Sequence, residues 1–176
     1  MIYTLTGEIE IGKSSALLKW ANKRTDVFGV ISPTNEDNKR YFLDINTRES
    51  FKMLATEIDD EIITVGRYRF LKAAFKRVNA IIEKEVTSND SGFILIDELG
   101  KLELRSGGLH KSAELAINKT KHNKGQHLIL VVRSELLDAI LKKYKIVDSE
   151  CISANQLLEQ YIDNVTKVTK EDYQKL

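Results

Sequence analysis

Cysteine is almost absent from this chain of 176 residues. Cys151 stands alone, so no internal disulfide is available. That absence reads as a cytoplasmic protein, with Cys151 as a buried structural thiol rather than a nucleophile. An excess of either charge is also missing. The 27 Lys and Arg residues face 26 Asp and Glu. So even a balance gives no electrostatic case for nucleic acid or an anionic membrane as partner. No apolar run approaches the roughly 18 residues of a membrane-spanning helix. The N-terminal stretch MIYTLTGE lacks the basic-then-apolar order of a signal peptide. His110, His122 and His127 show no HxxxH spacing and no cysteine companion, which argues against a zinc site. Internal repeats and low-complexity segments are absent too. What remains is ordinary for a globular protein: 42% apolar and 30% charged residues. The length suits one domain, 1–176, with a sizeable core.

Apolar periodicity sets out the elements. Ile2 to Thr6 is a short apolar run, consistent with a buried strand, and a helix follows from about Lys13 to Lys23. Ala16, Leu17, Trp20 and Ala21 share one face of it, which makes Trp20 a core residue. Val27 to Ser32 reads as a strand stopped by Pro33. Arg40 to Ile45, Ser50 to Ala55 and Ile62 to Val65 read as three more, at hairpin-like distances that predict antiparallel pairing. They form either an edge extension of the main sheet or a flap. Leu71 to Val86 carries a helical stripe of Ala74, Phe75, Val78, Ile81 and Ile82. Phe93 to Ile96 is a continuous apolar run, as in a parallel strand buried on both faces. A helix over about Leu109 to Lys121 and a strand over His127 to Val132 follow. Ser134 then offers an N-cap for a helix to about Lys142. A strand-like stretch at Lys145 to Asp148, a helix over about 155–165 and a polar tail complete the chain. Strand–helix alternation with short connections predicts an α/β domain, with a mainly parallel sheet and helices on both faces.

Two segments carry chemistry. Gly7 to Ser15 spells GEIEIGKSS, which fits the phosphate-cradling pattern G-x-x-x-x-G-K-[ST] between a strand and a helix. Glycine allows backbone N–H groups to approach phosphate oxygens, and the helix adds its positive dipole end. Gly7, Glu8, Ile9, Glu10, Ile11, Gly12, Lys13, Ser14 and Ser15 are therefore the expected nucleotide-binding residues. Lys13 would reach the β- and γ-phosphates, and the Ser14 hydroxyl would bind Mg²⁺. The second segment is the strand exit Asp97-Glu98. Asp97 is placed to hold Mg²⁺ through its water shell, and Glu98 to orient or deprotonate the attacking water. Arg133 follows another apolar strand, which puts it at the same sheet edge. It either stabilises the transferring phosphoryl group or is a solvated or glutamate-paired arginine. Lys101, Arg67 and Arg105 are further cations, with a structural role preferred for Lys101.

The stretch FILIDELGKLEL resembles the Walker B segment of a small nucleoside-triphosphatase family known from hyperthermophiles, whose human relative is called cancer-related nucleoside-triphosphatase. Asp97, Glu98, Gly100, Lys101, Glu103 and Leu104 match its pattern, with Leu99 and Leu102 where the family has Ile and Met. VFGVISPTNEDNKRYFLDI, VGRY at 65–68 and VVRS at 131–134 fall in the matching order along the chain. The resemblance implies a RecA-like or AAA-like P-loop fold. It also implies Mg²⁺-dependent hydrolysis of nucleoside triphosphates to diphosphates, with broad base tolerance and slow turnover.

The loop departs from that family, which has Gly-x-Pro-Gly-x-Gly-Lys-Thr-Thr. Serines 14 and 15 keep the hydroxyls, but Glu10 replaces a glycine and brings a charge near the phosphates. At about 5 Å and an effective dielectric of about 20, one such repulsion is of order 3 kcal/mol. Two rivals to hydrolysis therefore stay open: a nucleotide or small-molecule kinase, and a non-enzymatic nucleotide sensor with a degraded loop.

Overall fold

The computed structural model describes residues 1–7, 12–56 and 61–153. The loop residues Glu8, Ile9, Glu10 and Ile11 and the helix expected over 155–165 lie outside the described residues. The strands are β1 (Ile2–Gly7), β2 (Val27–Ile31), β3 (Tyr41–Asp44), β4 (Ser50–Lys52), β5 (Ile62–Val65), β6 (Tyr68–Leu71), β7 (Gly92–Leu99), β8 (Gln126–Arg133) and β9 (Glu150–Ser153). The helices are α1 (Lys13–Ala21), α2 (Lys72–Ser88), α3 (Lys101–Leu104), α4 (His110–His122) and α5 (Leu137–Lys143).

Seven strands form one sheet in the order β4-β3-β2-β7-β8-β1-β9. The five from β2 to β9 in that order run parallel. The β3 and β4 strands add an antiparallel edge, while β5 and β6 pair as a separate hairpin. Both options open for the segment between β2 and α2 are thus realised: an edge extension and a detached hairpin.

Strand alternation sorts the apolar side chains into two cores. On β7, Phe93 and Leu95 join Tyr3, Leu17, Trp20 and Ile129 under α1. Ile94 and Ile96 face the other way, onto Phe75, Val78 and Ile82 of α2 and Ala113 and Ile117 of α4. Helices therefore cover both faces, and β7 is apolar at every one of its first buried positions because neither face meets water. Trp20 packs edge-on against Phe93 with ring centroids 5.2 Å apart. A buried side chain of this size contributes roughly 1.5–3 kcal/mol through area alone. Gly29 shows how tightly β2 and β7 approach: a Cβ there would lie 2.2 Å from the Leu95 carbonyl oxygen.

Several local expectations need correction. The segment from Tyr68 to Leu71, which carries no expected element before the helix at about Leu71, is the strand β6. The short helix α3 has no counterpart among the expected elements. Ser134 opens a 3-10 turn, Ser134–Leu136, and makes no side-chain cap. The stretch Lys145 to Asp148 is not a strand, because Lys145 takes a positive φ of 49° and turns the chain, and the strand begins at Glu150. Cys151 is also corrected: it is exposed, not buried. Its strand, β9, ends the sheet, and only the face carrying Ile152 enters a core. The Cys151 Sγ lies 3.5 Å from the Thr6 Oγ1.

Candidate active site

Sheet order determines which loops meet. The β8 strand lies between β1 and β7, and its register sets Gly7 beside Arg133 and Asp97 beside Val131. The end of β1, Arg133 and the Asp97-Glu98 pair therefore reach the same carboxyl edge, where open α/β sheets bind ligands. Gly12 precedes α1 at φ 85°, a left-handed conformation that favours glycine, although a Cβ would meet nothing within 4 Å there. From that turn α1 points its N-terminus at the edge. Lys13 is buried, and its Nζ donates to the Gly7 carbonyl at 2.8 Å. Ser14 and Ser15 line a cleft of about 590 Å³ that also touches Ser32, Asn38, Glu98 and Arg133.

Asp97 is 1% exposed. The Ser32 backbone N–H donates to its Oδ2 at 2.9 Å, and the Ser32 hydroxyl donates to its backbone carbonyl at 3.1 Å. Its Oδ1 is buried with no hydrogen-bond partner among the described residues. Burial pushes the Asp97 pKa up; the Arg40 charge and the Ser14 hydroxyl oppose that shift without cancelling it. The Ser14 side chain thus addresses the same carboxylate that keeps an unsatisfied oxygen. Such an atom is costly in a dry interior unless a ligand or ion completes it.

Glu98 sits between two arginines. Arg133 Nε donates to Oε1. Arg40 donates to Oε2 through Nη1 and Nη2, both at 3.4 Å. Arg133 is thus paired with a glutamate, the one expected to activate water. Arg40 also donates from Nη2 to the Ser32 hydroxyl at 2.8 Å. Asp97, Ser32, Arg40, Glu98 and Arg133 therefore form one connected polar network. Below it, the buried carboxylate of Glu103 accepts from the backbone N–H groups of Gly100 at 2.7 Å and Leu109 at 2.8 Å. This pins α3 and the turn after it beneath the site.

Sequence reasoning assigns no role to Arg40 or Ser32. Arg40 has no local signal. It enters the site because β3 folds back beside β2 and carries it across to Glu98, 58 residues later in the chain. Lys101 is exposed at the start of α3 and is not part of this network.

A family model described as NTPase matches residues 2–162. The chain belongs to this NTPase family. Nucleoside-triphosphatase THEP1 of Saccharolobus solfataricus is 30% identical over 125 residues, which are 66% of this chain and 70% of that protein. The crystal structure of THEP1 from the hyperthermophile Aquifex aeolicus has a similar fold, with a TM-score of 0.67 over 92% of this chain and 94% of that one. At 18% identity that likeness speaks to fold alone. The family read from FILIDELGKLEL therefore holds, and this NTPase-family chain carries the P-loop fold that the resemblance implied.

Proposed function

We propose that this enzyme hydrolyses nucleoside triphosphates, ATP, GTP and others, to diphosphate and phosphate with Mg²⁺, as one domain over 1–176. One observation carries the reading: the buried, unpartnered Oδ1 of Asp97 near Ser14, at the edge where the Gly12–Ser15 turn opens the large cleft. Those donors, a hydroxyl and a carboxylate oxygen, suit a hard cation. Ser14 and Asp97 would hold Mg²⁺, whose charge offsets that of the β- and γ-phosphates. Gly7 to Ser15, with Glu8, Ile9, Glu10 and Ile11 among them, would cradle the phosphates through backbone N–H groups. Lys13 would exchange the Gly7 carbonyl for phosphate oxygens.

Glu98 is the base in this reading. It takes a proton from the attacking water as the bond to the diphosphate breaks. Arg133 and Arg40 hold it in place and supply positive charge where the transferring group passes. The balanced overall charge and the lack, among the described residues, of any helix long and apolar enough to cross a membrane fit a protein acting on small molecules. A single, unpaired cysteine fits the reducing cytoplasm.

Calorimetry with the Lys13→Ala variant tests the phosphate site. MgATP binding should disappear while the circular dichroism spectrum is kept. Unchanged affinity would remove the phosphate-loop assignment.

A further inference from the structure

A second cavity, of about 220 Å³, lies against the first. Its walls include Phe42, Met53, Phe70, Phe75, Leu102 and Leu109. Phe75 meets Phe42 and Phe70 edge-to-face, at 5.5 and 5.7 Å between ring centroids, which makes a firm aromatic wall. Glu98, Arg40, Arg133 and Ser32 line both cavities. These four polar residues, with Tyr68 and Phe70, thus separate the cleft from an apolar chamber.

Hydrolysis has no use for this chamber. A water occupies about 30 Å³ and needs two to four polar partners. Space for several waters, walled mainly by carbon, suits the apolar body of an organic molecule. It is smaller than the roughly 300–1,000 Å³ of drug-sized ligand sites, so the occupant is small. Its polar end must face Glu98. The carboxylate there accepts a hydrogen bond from a hydroxyl, and both nearby arginines already donate to it. Arg67 and Lys101, both exposed, also line the chamber, so a polar tail meets water there.

We propose that the chamber beyond Glu98 binds a small, ring-bearing or branched alcohol, and that the enzyme transfers the nucleotide's γ-phosphoryl group to its hydroxyl. The proposal rests on the reading of the large cleft as the triphosphate site and of Glu98 as base. The alcohol oxygen forms a bond to the γ-phosphorus while the bond from that phosphorus to the β,γ-bridging oxygen breaks. The hydroxyl proton passes to the Glu98 carboxylate and then to solvent. The products are a phosphate monoester and a nucleoside diphosphate.

The test uses the full chain with benzyl alcohol, cyclohexylmethanol and 3-methylbutanol as probes. Binding is followed without nucleotide by the NMR shift of the Met53 methyl group. Transfer is followed with MgATP by phosphorus NMR, which separates a monoester from inorganic phosphate. At least one alcohol should shift the methyl signal and yield monoester. Leu102→Trp, which fills the chamber from a residue that does not line the cleft, should weaken binding at least tenfold and abolish monoester, with phosphate release in the absence of alcohol unchanged. Val65→Trp serves if Leu102→Trp does not fold. If no alcohol shifts the methyl, or if one binds while only inorganic phosphate forms, the proposal is overturned. If the wild type binds alcohol but consumes no ATP at all, the hydrolytic reading fails and the transfer step fails with it.

Discussion

Arg133 donates its Nε hydrogen to Oε1 of Glu98, so the side chains proposed as cation and base of the site are partners. A charge-assisted pair of this kind holds the carboxylate in one orientation. It also ties the end of β8 to the end of β7. Removing Arg133 leaves Glu98 with Arg40 alone, and removes a cation from the path of the phosphoryl group. Losing one such preorganised donor typically costs about 10²–10³ in kcat. Arg133→Ala should therefore lower kcat strongly with a smaller change in KM. Arg133→Lys should recover part of the rate, because it returns the charge but not the planar fork. Steady-state kinetics of the two variants check this, and equal losses in KM and kcat for both would assign Arg133 to binding instead.

Asp97 pays for its position with stability. Burial raises its native pKa above the ordinary carboxylate range. Between the unfolded and native values the folded chain binds more protons, so stability falls as pH rises through that window. Asn at this position escapes the penalty: its carbonyl can accept from Ser32 and its amide can face the unpartnered side. Asp97→Asn should melt at or above the wild-type temperature without nucleotide. With MgATP at about 100 times the dissociation constant, the wild type should gain about 2.7 kcal/mol and the variant little. Thermal scans with and without MgATP decide it. A variant that is less stable yet still gains from MgATP would contradict the metal role of Asp97.

His127 gives the fold an acid-sensitive point away from the site. Its ring stacks on Phe93 at 4.9 Å, and its Nδ1 is buried without a partner among the described residues. Burial, helped by the N-terminal charge, lowers its pKa from 6.5 to about 4. A histidine depressed in the native state binds fewer protons than in the unfolded state between those values. Its contribution is therefore complete above about pH 6.5 and is lost as pH falls toward 4. His127→Phe keeps the stack and removes the proton site. Denaturant titrations at pH 7 and pH 4.5 should show a smaller stability loss for the variant, and an equal loss would exclude His127 as the sensitive group.

Local chemistry is what an amino-acid sequence displays most openly. The run FILI announces β7, because only a strand covered on both faces stays apolar at each position. The glycine-lysine turn and the Asp97-Glu98 exit are legible for a related reason: each motif sits within one short segment. Arg40 and Ser32 are not, since their roles come from strand order and from one antiparallel return. Tyr68 to Leu71 hides as a strand because it forms a two-stranded hairpin outside the main sheet and runs without a break into α2. Cys151 misleads because its neighbours in the chain do not reveal which strand ends a sheet, and an edge strand covers only part of what it carries.

Phosphate release by wild type and Glu98→Gln, with ATP, GTP, CTP and UTP, tests the central claim most directly. Gln is nearly isosteric with Glu but cannot accept the proton of water, and general-base catalysis is typically worth about 10²–10⁴ in rate. The wild type should release phosphate from each triphosphate only when Mg²⁺ is present. The variant should bind MgATP with similar affinity and turn over about 10²–10⁴ times more slowly. Wild-type turnover by a pure, folded Glu98→Gln protein would contradict the account of this site.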